Sequence, residues 1–193
     1  YGTMAMEAGE QLKEYGCERP THIFVQAGVG SLAGAVVGYY SNLYADNPPT
    51  FVVVEAEAAA CLYKGAAAGD GDIRIVDGDM ETIMAGLACG EPNTISWDIL
   101  KNHVKVFIAA PDWVAANGMR MLGAPIKGDA PVTSGESGAA PFGALAAVMT
   151  MDEYKDLRND IGLDASSKVL LFSTEGDTDP DRYKNIVWKG LDK

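Results

Sequence analysis

A glycine-rich segment near the start of the chain has the residue types and spacing to bind a phosphate group. Residues 26–34 read QAGVGSLAG, between a short apolar run and a stretch rich in Ala, Gly and Val. Without bulky side chains, the backbone N–H groups of such a loop can converge on an anion at a helix N-terminus, where the helix dipole is positive. The pattern predicts phosphate binding and leaves open which molecule carries the phosphate.

The same segment is compatible with two other interpretations. Residues 28–33, GVGSLA, match the dinucleotide pattern G-x-G-x-x-G/A, and Glu55 ends the next apolar run, where a carboxylate could hold a ribose. A nicotinamide dinucleotide-binding domain of an oxidoreductase is therefore an alternative function. In the third interpretation the small residues only let a helix pack closely on a sheet, and the chain is a non-catalytic binding module.

Two further clusters of small and hydroxyl-bearing residues follow later in the chain. Residues 134–139 read SGESGA, and residues 173–177 read STEGD directly after the last apolar run. Since ligands of open α/β sheets bind at the carboxyl ends of the strands, these clusters can meet the glycine loop in one crevice. A hydroxyl there can hydrogen-bond a neutral heterocyclic nitrogen. For Ser134 and Ser137 taken alone, helix capping is the simpler interpretation.

Strand and helix patterns alternate along the chain and must position these clusters. The predicted strands are residues 21–27, 51–54, 73–76, 104–109 and 168–172. The predicted helices are residues 4–15, 31–44, 57–67, 112–122, 137–149, 152–159 and 179–188. Strands separated by helices indicate an α/β fold of three layers, with a mostly parallel sheet and helices on both faces. We expect a single α/β domain over residues 1–193.

Composition narrows the classes of partner. The chain has 15 Lys and Arg against 27 Asp and Glu, a net charge of −12, and 48% of its residues are hydrophobic. This acidic balance argues against nucleic acid and anionic membranes as partners. No apolar run approaches the roughly 20 residues of a membrane span. Three cysteines without zinc spacing favour the cytoplasm, and no metal site is expected at His22 or His103.

The clusters and the segments between them resemble a known family. They include GVGSLAG, VVEAEAAACLYKG, IRIVDGDMETIMAGLACGEPN, SGESGAAPFGALAAV and LLFSTEGDTDPDRY, in that order. From about residue 11 to residue 188, the chain is similar to the second half of pyridoxal-phosphate (PLP) enzymes of the tryptophan synthase β or threonine dehydratase fold type. Within that fold type it looks most like the diaminopropionate ammonia-lyases. The resemblance implies PLP as cofactor, an amino-acid substrate, and a homodimer for the full-length enzyme.

The resemblance also implies roles for particular residues. The loop that would surround the PLP phosphate consists of Gly28, Val29, Gly30, Ser31 and Leu32. Thr174, or its neighbour Ser173, would face the pyridine nitrogen. Glu136 would lie near the ring in a role that the resemblance does not fix. The implied reaction is α,β-elimination of 2,3-diaminopropionate to pyruvate and ammonia.

The lysine that this chemistry requires has no counterpart in the chain. In the family, a lysine upstream of the phosphate loop holds the cofactor as a Schiff base and removes the α-proton. Only Lys13 precedes the loop here, in a helical pattern typical of a solvated lysine. Because the chain also begins with Tyr1 within a helical pattern, we expect a piece of a longer enzyme. We expect this piece to contain no catalytic residue and to be inactive alone.

Two cysteines flank a segment that runs near the substrate entrance in this family. The resemblance implies that Cys61 and Cys89 lie close together beside the site. We expect reduced thiols, as the cytoplasm favours. A disulfide between them would instead order the entrance.

Overall fold

The computed structural model describes residues 1–192, and its centre is a parallel β-sheet. The strands are β1 (His22–Gln26), β2 (Thr50–Ala56), β3 (Val104–Ala110) and β4 (Val169–Leu171). Within the described residues they lie in the order β3-β2-β1-β4, and every neighbouring pair is parallel. Phe24 of β1 pairs with Val52 of β2 on one side and with Leu171 of β4 on the other. The first and last strands of the sequence are therefore neighbours.

Helices cover both faces of this sheet. They are α1 (Gly2–Glu14), α2 (Ser31–Leu43), α3 (Cys61–Ala68), α4 (Thr94–His103), α5 (Asp112–Gly123), α6 (Glu136–Thr150), α7 (Lys155–Ile161) and α8 (Pro180–Val187). Helices α1 to α4 pack on one face and α5 to α8 on the other. This confirms the predicted three-layer α/β fold. Among the residues described, no helix combines the length and apolarity needed to cross a bilayer.

Two hydrophobic cores follow from the alternation of side chains along the strands. Successive strand residues point to opposite faces of a sheet. Ile23 and Val25 accordingly belong to the core under α1 to α4, whereas Phe24, Val52 and Val54 belong to the core under α5 to α8. All five are fully buried. The middle of β2, residues 51–54, reads as a continuous apolar run because both faces of the sheet are covered there.

Helices α5 and α6 approach each other so closely that their contact requires glycine. A Cβ atom on Gly143 of α6 would lie 2.0 Å from the carbonyl oxygen of Val114 in α5. A Cβ atom on Gly118 of α5 would lie 2.5 Å from the carbonyl oxygen of Ala139 in α6. The small-residue composition of residues 137–149 thus serves helix packing.

The structure corrects several local predictions. The strand predicted at residues 73–76 is wrong: this stretch is irregular, and Val76 donates its N–H to the carbonyl of Gly90 at 2.9 Å. Helix α4 was not predicted; it begins after Asn93, whose side chain accepts the N–H of Ser96 at 2.9 Å. The helix predicted over residues 57–67 consists of a 3-10 turn, Glu57–Ala59, followed by α3.

Candidate functional site

The glycine loop joins the end of β1 to the start of α2. Gly30 is the residue immediately before α2 and has a φ of 93°, a left-handed conformation that favours glycine. The N–H groups of residues 28–32 donate to no backbone or side-chain acceptor among the described residues. Unpaired N–H groups at a helix N-terminus favour an anionic ligand.

The segment after β4 forms the wall opposite the glycine loop. The side-chain nitrogen of Gln26, the last residue of β1, donates to the carbonyl of Phe172 at 2.9 Å and to the hydroxyl oxygen of Thr174 at 2.8 Å. The hydroxyl of Ser173 lies 2.9 Å from that of Ser134, which is fully buried. The structure thereby brings the two predicted hydroxyl residues, Ser173 and Thr174, to the same edge of the sheet as the glycine loop.

A carboxylate from the same segment caps helix α6. Glu175 accepts the N–H of Ser137 at 2.6 Å and that of Gly138 at 3.2 Å, and its carbonyl accepts the N–H of Gly135. The capping role predicted for Ser134 and Ser137 is therefore wrong, because this carboxylate already occupies the helix N-terminus. The Ser137 hydroxyl instead accepts the N–H of Gly86 at 3.2 Å.

These segments enclose an open cavity of about 610 Å³. Its walls come from the start of α1, the end of β1, the glycine loop, the segment before α4, the start of α6 and the segment after β4. They are Tyr1, Met4, Gln26, Gly28, Val29, Gly30, Ser31, Leu32, Gly86, Leu87, Cys89, Ser137, Ser173, Thr174 and Glu175. The convergence expected from the carboxyl ends of parallel strands is present.

Glu136 lies beside this cavity, in an adjoining smaller one of about 220 Å³. One of its carboxylate oxygens is 3.1 Å from the guanidinium of Arg182. Partial burial raises the pKa of Glu136, and the nearby Arg182 opposes that rise. The structure thus places Glu136 next to the main cavity, paired with an arginine, and its contact with a cofactor stays a prediction.

Both oxygens of Glu55 are used by the chain itself. Its carboxylate accepts the N–H of Leu62 at 2.8 Å and that of Tyr63 at 2.7 Å, at the start of α3. Only 1% of the residue is exposed. The alternative in which Glu55 holds a ribose is therefore wrong. The main argument for a nicotinamide cofactor depended on that role, so it no longer holds.

The cysteines are free thiols, and the two histidines lie in or beside the strands of the sheet. Cys61 and Cys89 are free thiols, and the Cys61 thiol donates to the carbonyl of Cys89 at 3.5 Å. His22 is buried in β1 with its Nε2 atom 2.8 Å from the carbonyl of Ile161. His103 ends α4 and directly precedes β3. Among residues 1–192 no group of three or more potential metal ligands occurs.

Sequence reasoning missed the contributions of Gln26 and Glu175. Gln26 is 2% exposed, and its side-chain oxygen has no partner among the described residues. A polar residue directly after the apolar residues 23–25 was the available signal. Glu175 stood within the predicted STEGD cluster, but which helix its carboxylate caps depends on tertiary contacts.

Comparisons with known proteins agree with this geometry. The family model of pyridoxal-phosphate dependent enzymes matches residues 1–170. Diaminopropionate ammonia-lyases of Salmonella typhimurium and Escherichia coli K12 are 53% and 47% identical over 98% of this chain. The chain spans 47% of the length of each, about half of these curated relatives.

A solved structure is similar over the whole chain. Diaminopropionate ammonia-lyase from Escherichia coli, in complex with an aminoacrylate-PLP azomethine reaction intermediate, superposes with a TM-score of 0.90 and 45% identity. The match covers 100% of this chain and 48% of that one. The matching family model, the identity of these relatives and the shared fold lead to one assignment: this chain belongs to the family of pyridoxal-phosphate dependent enzymes.

Proposed function

We propose that this chain is the cofactor-binding half of a PLP-dependent ammonia-lyase that acts on 2,3-diaminopropionate by α,β-elimination. The observation that carries the proposal is the cavity in which the glycine loop faces Ser173 and Thr174. Relatives named diaminopropionate ammonia-lyase, at 53% and 47% identity, support the choice of substrate.

The residues present fit PLP. The unpaired N–H groups of residues 28–32 provide an anion site for the phosphate at the N-terminus of α2. The cavity of about 610 Å³ is within the range of small-molecule sites. The unpartnered side-chain oxygen of Gln26 shows a buried polar group that the protein alone leaves unsatisfied.

The glycine loop, Thr174 and Glu175 each have a role in holding the cofactor. PLP, when bound, supplies the electron sink for chemistry at the substrate's α-carbon. The loop N–H groups and the α2 dipole hold its phosphate, and the Thr174 hydroxyl offers a hydrogen bond to its ring nitrogen. Glu175 fixes the segment that carries Thr174 by bonding it to the start of α6. The chain therefore binds and orients the cofactor.

The proton-transfer group lies elsewhere in the proposed enzyme. Among the described residues, no lysine lines the cavity. Since the chain spans about half the length of its relatives, we place the Schiff-base lysine in polypeptide beyond these 193 residues. The chain alone then lacks the base for the α-proton and does not catalyse elimination.

Titration of the purified chain with PLP tests the cofactor assignment. When the chain is titrated with PLP, we expect the absorbance and fluorescence of PLP to change and to saturate. Titration with NAD should give no such spectral change. Gly30→Val should abolish the response, because a side chain at φ 93° is strained and its Cβ atom would lie 3.1 Å from a methyl group of Leu100 and 3.3 Å from one of Leu62, which displaces the loop. Gly38→Ala, within α2 and with only ordinary van der Waals contacts for its new methyl group, should leave the response unchanged. Absence of PLP binding by the wild-type chain would refute the assignment.

A second assay tests the reaction. Pyruvate formation from 2,3-diaminopropionate should be undetectable with this chain and present with the longer protein that contains it. Turnover by the 193-residue chain alone would contradict the missing-lysine argument. Failure of the longer protein with this substrate, despite PLP binding, would show that the substrate is a different amino acid.

Two properties of the whole enzyme belong to the same proposal. We place it in the cytoplasm, which the free state of all three cysteines supports. We also propose a homodimer, in line with the family resemblance. Light scattering on the longer protein measures its mass, and cell fractionation measures its location; a monomer or a secreted protein would contradict the respective statement.

A further inference from the structure

Gln26 is a buried polar residue at the wall of the main cavity, and the proposed function assigns no role to its side-chain nitrogen. It ends β1, is 2% exposed, and contributes to the wall of the main cavity. Its side-chain nitrogen contacts two acceptors, the Phe172 carbonyl at 2.9 Å and the Thr174 hydroxyl oxygen at 2.8 Å. Its side-chain oxygen has no hydrogen-bond partner within residues 1–192.

The orientation of this amide is fixed by chemistry. A backbone carbonyl can only accept hydrogen bonds, so the amide atom that faces Phe172 must be the NH₂ group. If the amide were reversed, two oxygens would face each other in a buried position. The same NH₂ group therefore also faces the Thr174 hydroxyl and donates to it.

The direction of the Thr174 proton follows from this bond. A hydroxyl has one proton to donate, and the lone pair that accepts from Gln26 leaves that proton free. The Thr174 hydroxyl donates to no other group among the described residues, and Thr174 lines the cavity. Its O–H is thus available to an acceptor inside the cavity.

We propose that Gln26 is a positioning residue that makes Thr174 a hydrogen-bond donor and thereby selects the unprotonated form of the cofactor's ring nitrogen. The inference rests on the proposed function, because it takes PLP as the ligand. An unprotonated ring nitrogen accepts a hydrogen bond from O–H, whereas a protonated one has no lone pair to accept it. Gln26 acts on the ring through Thr174.

The test uses the longer protein that contains this chain, loaded with PLP that carries nitrogen-15 in its ring. In the wild type we expect the resonance of an unprotonated, hydrogen-bonded nitrogen. In Gln26→Glu the carboxylate accepts the Thr174 proton, so the resonance should move towards the protonated position. Gln11→Glu, the same change at an exposed residue of α1, should leave the resonance unchanged.

A pair of uncharged variants provides a second, independent measurement. Gln26→Leu and Thr174→Val should each weaken PLP binding roughly fivefold to tenfold, as loss of one neutral hydrogen bond does. The double variant should be no weaker than Thr174→Val alone, because both changes remove the same hydrogen bond to the ring. These variants keep the proposal testable if Gln26→Glu does not fold.

The possible outcomes separate the two claims. If PLP does not bind the wild-type protein, the proposed function fails and this inference fails with it. If PLP binds but its ring nitrogen is protonated in the wild type, only the inference fails. The same holds if the effects of Gln26→Leu and Thr174→Val simply add.

Discussion

At the residue scale, Glu55 shows how a buried carboxyl group can support a binding loop without lining the cavity. Its carboxylate accepts two N–H groups at the start of α3 and so fixes Leu62. A methyl group of Leu62 lies 3.3 Å from where a Cβ atom on Gly30 would be. Glu55 therefore holds the back wall of the glycine loop.

The burial of Glu55 makes stability depend on pH. Desolvation raises its pKa from 4.5 to about 7, and the N–H groups of Leu62 and Tyr63 only partly oppose this. Between these two pH values the folded chain keeps a proton that the unfolded chain has lost. The stabilisation is complete below about pH 4.5 and is lost as the pH rises through about 7.

We therefore expect the Glu55 contribution to the free energy of unfolding to fall by about 3 kcal/mol across that window. Glu55→Gln should remove this part of the pH dependence, whereas Glu57→Gln, at an exposed neighbour, should keep it. Urea unfolding of the three proteins at several pH values measures the slopes. Equal slopes for Glu55→Gln and wild type would contradict the burial argument.

Residue identities alone predicted part of the site. The glycine loop and its meeting with Ser173 and Thr174 follow from the rule that parallel strands share a carboxyl edge. The partners of Glu55 and Gln26 could not be predicted, since they are backbone groups and, for Gln26, also the Thr174 hydroxyl, all brought in by folding. A carboxylate after an apolar run looks the same whether it binds a ligand or caps a helix.

At the scale of elements, the strands of the sheet were easier to predict than the segments between β2 and β3. Strands buried on both faces leave continuous apolar runs, and all four were located from the sequence. The false strand at residues 73–76 is also mostly apolar, but within residues 1–192 its one hydrogen bond between backbone groups is that from Val76 to Gly90. Helix α4 was missed because its start depends on a side-chain cap at Asn93 within a polar stretch.

The contact between α5 and α6 gives an element-scale prediction. Gly143→Ala should lower the free energy of unfolding by at least 1–3 kcal/mol, a rough figure for overpacking, because the new methyl group meets the Val114 carbonyl. Gly38→Ala, in a helix interior with room for a methyl group, should raise it by about 0.5–1 kcal/mol. Thermal and urea unfolding measure both changes. A neutral Gly143→Ala would show that the two helices can separate at no cost.

At the scale of the whole molecule, the net negative charge of the chain repels the anion that its cavity is suited to bind. The chain has a net charge of −12, yet its cavity has the features of an anion site. No lysine or arginine among the described residues lines that cavity. The negative charge of the chain therefore repels an approaching anion at long range, and the N–H groups of the glycine loop attract it only at short range.

Salt should thus accelerate the binding of PLP to this chain. Raising the ionic strength from about 10 mM to about 200 mM shortens the screening distance, so the association rate constant should increase severalfold. Pyridoxal, which lacks the phosphate, should show little change. Stopped-flow fluorescence measures both rates. A PLP association rate that decreases with salt would instead indicate an attractive field at the cavity.

The pairing of β1 with β4 has a consequence for the order of events during synthesis. The bond from Gln26 to Phe172 joins residues 146 positions apart, so one wall of the cavity is translated long before the other. A nascent chain on the ribosome can form the glycine loop, but it cannot close the site until the residues after β4 have left the exit tunnel. Cofactor capture is therefore a late event, and a polypeptide that stops before β4 cannot complete the site.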